Sequence, residues 1–164
     1  MNKRSITTNE KKLILVLDNI RSEHNTGSLF RTADGAGVSK IFLVGTTPKP
    51  IDRFGRPVGT IAKTALGAEK TIPYEYYATT EEAIGALKKE GIYIYSLEQT
   101  PNSVSLFEAT SQFPCALIVG NEVDGVSKAF VEASDVVLEI PMHGEKESLN
   151  VSVAGGVALF TLLK

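Results

Sequence analysis

The stretch from Leu13 to Val44 reads LILVLDNIRSEHNTGSLFRTADGAGVSKIFLV, and its change of pattern sets the fold class. Leu13-Ile14-Leu15-Val16-Leu17 is an unbroken apolar run, as expected of a strand covered on both faces. Asn25 to Gly37 follows as a helix, with Leu29, Ala33 and Ala36 forming its apolar stripe and Gly35 and Gly37 ending it. Asn25 sits where a helix cap is expected. Ile41-Phe42-Leu43-Val44 is a second apolar run. Strand, helix and strand in that order, both strands apolar throughout, read as a parallel β-α-β unit.

Outward from this unit the alternation continues. Residues 46–58 hold Pro48, Pro50, Gly55 and Pro57 and read as a loop. Gly59 to Leu66 reads as a short helix and Ile72 to Tyr77 as a weak strand. Thr79 and Glu82, three apart, form a capping box for a helix from Thr80 to Glu90. Ile92 to Leu97, Ala116 to Val119 and Val136 to Ile140 read as strands, with a short helix from Ser127 to Ala133. Residues 149–163 form a last helix, apolar nearly all round and therefore expected to be buried. There is no repeat, linker or low-complexity segment. The expectation is one α/β domain over residues 1–164, a mostly parallel sheet flanked by helices.

Composition supports this reading. The chain has 164 residues, 43% hydrophobic and 22% charged, which is a globular balance and enough chain for one core. A single cysteine excludes an internal disulfide. Cys115 precedes Ala116-Leu117-Ile118-Val119 and reads as a buried thiol rather than a nucleophile. The run from Leu13 to Leu17 is too short for a signal core or a membrane span, so a soluble cytoplasmic protein is expected. The net charge of −2 conceals an asymmetry. Residues 1–70 carry 12 Lys/Arg against 6 Asp/Glu, whereas residues 71–164 carry 5 against 13. Either one face suits a polyanion, or the charges intermix on folding.

Several chemistries find no support. No glycine-rich dinucleotide or phosphate loop of the standard patterns occurs, and no G-x-S-x-G elbow. His24 and His143 are the only histidines and no Cys/His cluster exists, so no metal is expected. Three polar clusters remain where strands give way to loops, the place where open α/β sheets bind ligands. The first runs from Asn19 to Asp34 and contains Asn25 and Arg31. The second, Val119-Gly120-Asn121-Glu122-Val123-Asp124-Gly125, sets polar groups at a strand end, with Gly120 leaving room for a ligand against the backbone. The third runs from Ile140 through Met142 and Ser148-Leu149-Asn150 to Ala154. There Ser148 or Asn150 either caps the last helix or binds something else.

In order and in register, these clusters resemble the SpoU (TrmH-like) RNA ribose methyltransferases of the SPOUT superfamily. The matching residues are Asn25-x-Gly27-x-x-x-Arg31-Thr32, Val119-Gly120-Asn121-Glu122 with Gly125, Ile140-Pro141-Met142, and Ser148-Leu149-Asn150-Val151-Ser152-Val153-Ala154. Thr64-Ala65-Leu66-Gly67-Ala68 also resembles a family segment, and the likeness extends from Leu13 to Leu163. The resemblance implies a C-terminal deep trefoil knot formed around the loops after Leu97, Val119 and Ile140. It implies S-adenosylmethionine as cofactor, a homodimer, and an RNA substrate. Leu97, Glu98, Gln99, Gly120, Asn121, Ile140, Met142, Ser148, Leu149 and Asn150 are then the cofactor-binding residues. Gly120, Ile140 and Leu149 would act through their backbones. Arg31, Asn25, Glu122, Ser148 and Asn150 are the catalytic set.

The implied chemistry is physically coherent. A ribose 2′-hydroxyl is a weak nucleophile and needs its proton drawn away. Guanidinium hardly ever deprotonates, so Arg31 would bind the adjacent phosphate and stabilise the developing alkoxide. Ser148, Asn150 and Asn25 would orient it. Lys3, Arg4, Lys11, Lys12, Arg21, Arg53, Arg56 and Lys63 are candidate phosphate contacts, and the 46–58 loop a candidate mobile clamp. The chain reads as a minimal member without an N-terminal RNA-binding domain, acting on tRNA or rRNA, with tRNA preferred because a compact dimer can hold a stem-loop. The alternatives are a non-catalytic RNA-binding or assembly protein on the same fold, and a base methyltransferase.

Overall fold

The structure, a computed structural model, describes residues 11–164; Lys3 and Arg4 lie outside the described residues. Its elements are β1 (Leu13–Asp18), α1 (Glu23–Ala36), β2 (Lys40–Val44), α2 (Gly59–Ala65), α3 (Ala68–Thr71) and β3 (Tyr74–Tyr77). There follow α4 (Thr80–Lys89), β4 (Tyr93–Leu97), β5 (Val104–Ser105), a single 3-10 turn (Leu106–Glu108) and β6 (Cys115–Gly120). The described chain closes with α5 (Lys128–Ala133), β7 (Val136–Glu139) and α6 (Val151–Leu162).

The seven strands among the described residues join one sheet in the order β3-β2-β1-β6-β4-β7-β5. Every neighbouring pair is parallel, so the expected α/β class is observed. Period-two geometry explains why β1 shows no polar alternation. Leu13, Leu15 and Leu17 pack with Leu29, Phe30, Ile61 and Leu159 on one face. Ile14 and Val16 pack with Ala83, Leu87 and Phe130 on the other. The helices α1, α2 and α6 therefore cover one face, and α4 and α5 the opposite one. Full burial of each such aliphatic side chain stabilises by about 1.5–3 kcal/mol.

The first three strands step outward in sequence order, but the later ones insert. β6 lies between β1 and β4, and β7 lies between β4 and β5. The register sets Asp18 opposite Gly120 and Leu97 opposite Val119. Three strand ends are thus level, and the loops leaving them meet.

Some expectations change. α1 begins at Glu23, and its N-cap is Ser22, whose Oγ accepts the Asn25 amide at 3.1 Å. Asn25 is not the cap, because a serine three residues earlier meets the same need and leaves the asparagine side chain free. Gly35 sits inside the helix, and only Gly37 ends it, at φ 83° with its N–H on Ala33 and Asp34 carbonyls. The last helix is not covered all round, since Val153 is 52% and Phe160 56% exposed. The strand expected from Ile72 is shorter, because Pro73 has no N–H to give the ladder. The 46–58 loop is no slack connection: Ile51 and Pro57 form an antiparallel bridge within it. Cys115 is fully buried, and burial pushes its thiol up to about 12, as fits an inert core residue. No described helix is long and apolar enough to cross a membrane.

Candidate active site

The loop after β6 is built by the Asn121 side chain and its own backbone. Asn121 Oδ1 accepts the amides of Val123 and Asp124, both at 2.8 Å, and the Gly125 amide returns to the Asn121 carbonyl at 2.8 Å. The turn is so tight that a Cβ on Gly120 would overlap the Gly125 carbonyl and the Val126 nitrogen. Gly120 was expected to leave room for a ligand; what the structure shows is that it leaves room for the returning chain.

Two carboxylates fix this loop from opposite sides. Glu98, just past β4, accepts the Val126 amide at 2.9 Å through one oxygen and the Gln99 amide at 2.8 Å through the other. Asp18, at the end of β1 and fully buried, accepts the Ser127 amide at 2.6 Å and the Ser127 hydroxyl at 2.9 Å. Successive residues are thus held by the strands flanking β6. Sequence reasoning missed Asp18, because an aspartate after an apolar run reads as an ordinary turn residue. Its place opposite Gly120 is visible only in the register of the folded sheet.

A second network joins the three polar clusters. Asn25 Nδ2 donates to Glu122 Oε1, and Asn25 Oδ1 accepts Asn150 Nδ2 at 3.4 Å. Asn150 is the N-cap of α6 and accepts the Ser152 amide at 2.9 Å. Asn25 is 7% exposed, so its amide is locked between these partners. α1 carries it there because Gly27 lets the helix press against α2: a Cβ would overlap the Thr64 hydroxyl and crowd the Ile61 carbonyl.

Beyond the carboxyl ends of β4, β6 and β7 lies a cavity of about 620 Å³. It is lined by Leu97, Glu98, Gln99, Gly120, Asn121, Ile140, Met142, Ser148, Leu149 and Asn150, the whole set of expected cofactor-binding residues, and by Glu122. Asn25 lines an adjoining recess of about 100 Å³ with Ser22, Asn121 and Glu122. Arg31 lines neither. It is exposed on α1, six residues and about 9 Å along the axis from Asn25. Val123, Asp124 and Ala154, members of the second and third polar clusters, also line the cavity, as does Glu139, which was not anticipated. The segment 143–150, whose Ser148, Leu149 and Asn150 line the cavity, is exposed, and Gln99 Nε2 ties it at the Glu147 carbonyl, 2.7 Å away.

Every charged residue of the lining is a carboxylate: Glu98, Glu122, Asp124 and Glu139. Such a cavity favours a cationic ligand with an apolar portion, the latter met by Leu97, Ile140, Met142 and Leu149. A parallel sheet with a ligand cavity at its carboxyl edge defines an α/β ligand-binding protein. The sequence profile of the SpoU rRNA Methylase family matches residues 12–160, and the chain belongs to that family.

Individual relatives agree. A 23S rRNA (guanosine-2′-O-)-methyltransferase of Xylella fastidiosa is 36% identical over 152 residues, covering 93% of this chain and 58% of its own. The AdoMet-bound rRNA methyltransferase from Sinorhizobium meliloti superposes with a TM-score of 0.81 at 30% identity, over 92% of this chain and 55% of that one. The A. aeolicus TrmH/SpoU tRNA modifying enzyme gives 0.79 at 30% identity, over 94% and 75%. The chain spans less than two thirds of the curated relatives it matches.

Proposed function

We propose that this protein transfers a methyl group from S-adenosylmethionine to a ribose 2′-hydroxyl of tRNA or ribosomal RNA in the cytoplasm. The observation that carries the reading is the meeting of Asn25, Glu122 and Asn150 beside a cavity whose charged lining is all carboxylate. S-adenosylmethionine supplies an electrophilic methyl on a sulfonium. Leu97, Ile140, Met142 and Leu149 offer apolar contact for its adenine. The backbones of Gly120, Ile140 and Leu149 offer hydrogen bonds to adenine and ribose, with Gln99, Asn121, Ser148 and Asn150 as polar neighbours. Glu98 adds negative field while its oxygens stay on Val126 and Gln99.

In this reading Arg31 grips the phosphate beside the reacting ribose and stabilises the developing alkoxide. Asn25, Glu122, Ser148 and Asn150 hold the geometry. Arg31 stands outside the cavity, one helical turn before Gly35, against which Phe160 packs. Phe160 and Val153 leave α6 with an exposed apolar face. A homodimer covering that face brings a second copy beside Arg31 and completes its surroundings. The insertion of β6 and β7 between earlier strands supports a C-terminal deep trefoil knot around the loops after Leu97, Val119 and Ile140.

Calorimetric titration with S-adenosylmethionine and nucleoside analysis of treated RNA test the proposal together. The unmodified protein should bind the cofactor and yield 2′-O-methylated nucleosides. Arg31→Ala should still bind it while methyl transfer falls at least about a hundredfold. Base-methylated product, or near-normal transfer by Arg31→Ala, would refute the assignment.

A further inference from the structure

We propose that the hairpin from Pro50 to Val58 is a base-stacking tip for an unpaired stretch of RNA. Phe54 takes a base on its ring, and Arg53 and Lys49 meet the flanking phosphates. The inference rests on RNA being the substrate and adds which form of RNA is held and by what.

The hairpin is closed and well braced. The Val58 amide donates to the Pro50 carbonyl at 2.9 Å, and the Asp52 amide to the Arg56 carbonyl at 2.8 Å. Asp52 Oδ1 accepts the amides of Phe54 and Arg56 at 2.8 and 2.9 Å, and Oδ2 accepts Arg56 Nε at 3.1 Å. The Arg56 amide foremost, with that of Phe54 and the Arg56 side chain, holds the Asp52 carboxyl below its ordinary range. This bonding holds out two apolar side chains, Phe54 at 65% and Ile51 at 40% exposure, of which only Phe54 carries a π-face. The guanidiniums of Arg53 and Arg56 stand over its ring, 4.7 and 4.9 Å from the centroid, so a stacking base takes the place of Arg53, which turns to the neighbouring phosphate. Lys49 lies 4.4 Å from the ring centre of Tyr76, itself 41% exposed, at the foot of the hairpin.

A phenylalanine left in water on a rigid tip has no use in the core. Ringed by cations, it has the makings of a nucleic-acid contact, since stacking needs a π-face and phosphates need positive charge. The only carboxylate of the tip, Asp52, is engaged by Arg56 and the backbone, so the outward charge is positive. Bases in a duplex already have both faces covered, so only an unpaired base can use Phe54. The location is also suitable. All strands are parallel, so the hairpin, which follows β2, leaves the same edge of the sheet as the cavity. β2 stands two strands from β6, about 10 Å away, which a few nucleotides span.

Fluorescence anisotropy with a short labelled oligouridylate, beside a duplex RNA control, tests the tip in the full-length protein. Phe54→Leu keeps an apolar side chain and removes the π-face. It should weaken oligouridylate binding about five- to a hundredfold, leave duplex binding nearly unchanged, and be rescued by Phe54→Trp. Arg53→Ala should reduce the salt dependence of binding by about one phosphate contact. No binding by the unmodified protein, equal loss on duplex and single strand, or unchanged affinity in Phe54→Leu overturns the proposal; the last outcome includes a tip that serves a protein partner. S-adenosylmethionine titration on the same samples separates the two readings. Failure of the unmodified protein to bind cofactor refutes the methyltransferase assignment and leaves the oligouridylate result standing.

Discussion

Asn25 shows how one residue can be misplaced by pattern yet well placed by structure. As a helix cap it competes with Ser22, and serine takes that role. The asparagine amide is then free to join Glu122 and Asn150, distant in sequence. The order of the polar clusters made this meeting legible, while the bonds of each member were not, because spacing along a chain does not say which oxygen meets which amide. Gly120 makes the same point. The space it provides is taken by the backbone of Gly125 and Val126. Gly120→Ala should therefore push the turn into the cavity and cut S-adenosylmethionine affinity by at least about tenfold, the rough effect of 1.4 kcal/mol of misfit. Calorimetric titration measures this, and circular dichroism should show the fold retained.

Among the elements, β1 and β6 were the easiest to read, because strands covered on both faces are apolar throughout. β5 has two residues and α3 four, too short for any period to register. α6 was legible as a helix and misleading as a buried one. Hydropathy reports what a face would prefer to touch, and about half of Val153 and of Phe160 stays open to water in a single chain. If a second copy covers them, Phe160→Asp should shift sedimentation from dimer to monomer and lower methyl transfer with it. A dimer of undiminished stability would place the interface elsewhere.

At the scale of the whole molecule, the sheet buries Cys115 wholly and Tyr77 in part, two groups that ionise only in alkali. Burial raises Cys115 from 9.0 to about 12, and burial followed by the hydrogen bond from its hydroxyl to Glu75 raises Tyr77 from 10.0 to about 12. Both lose protons earlier in the unfolded chain than in the folded one. Their contribution to stability is thus whole below pH 9 and disappears as pH climbs toward 12. Urea midpoints should fall across that window, and Cys115→Ala should flatten part of the fall.

The two walls of the cavity differ in kind. On the sheet side, Asp18 and Glu98 grip consecutive amides from strands on either side of β6. That wall is settled during folding and loses little freedom when a ligand arrives. The opposite wall, Ser148 to Asn150, belongs to the exposed segment 143–150, which is tied at Glu147 by the Gln99 amide and at Asn150 by the Asn25 side-chain amide. A change at Gln99 removes one of those two ties, and should alter how quickly a guest departs more than how well it fits.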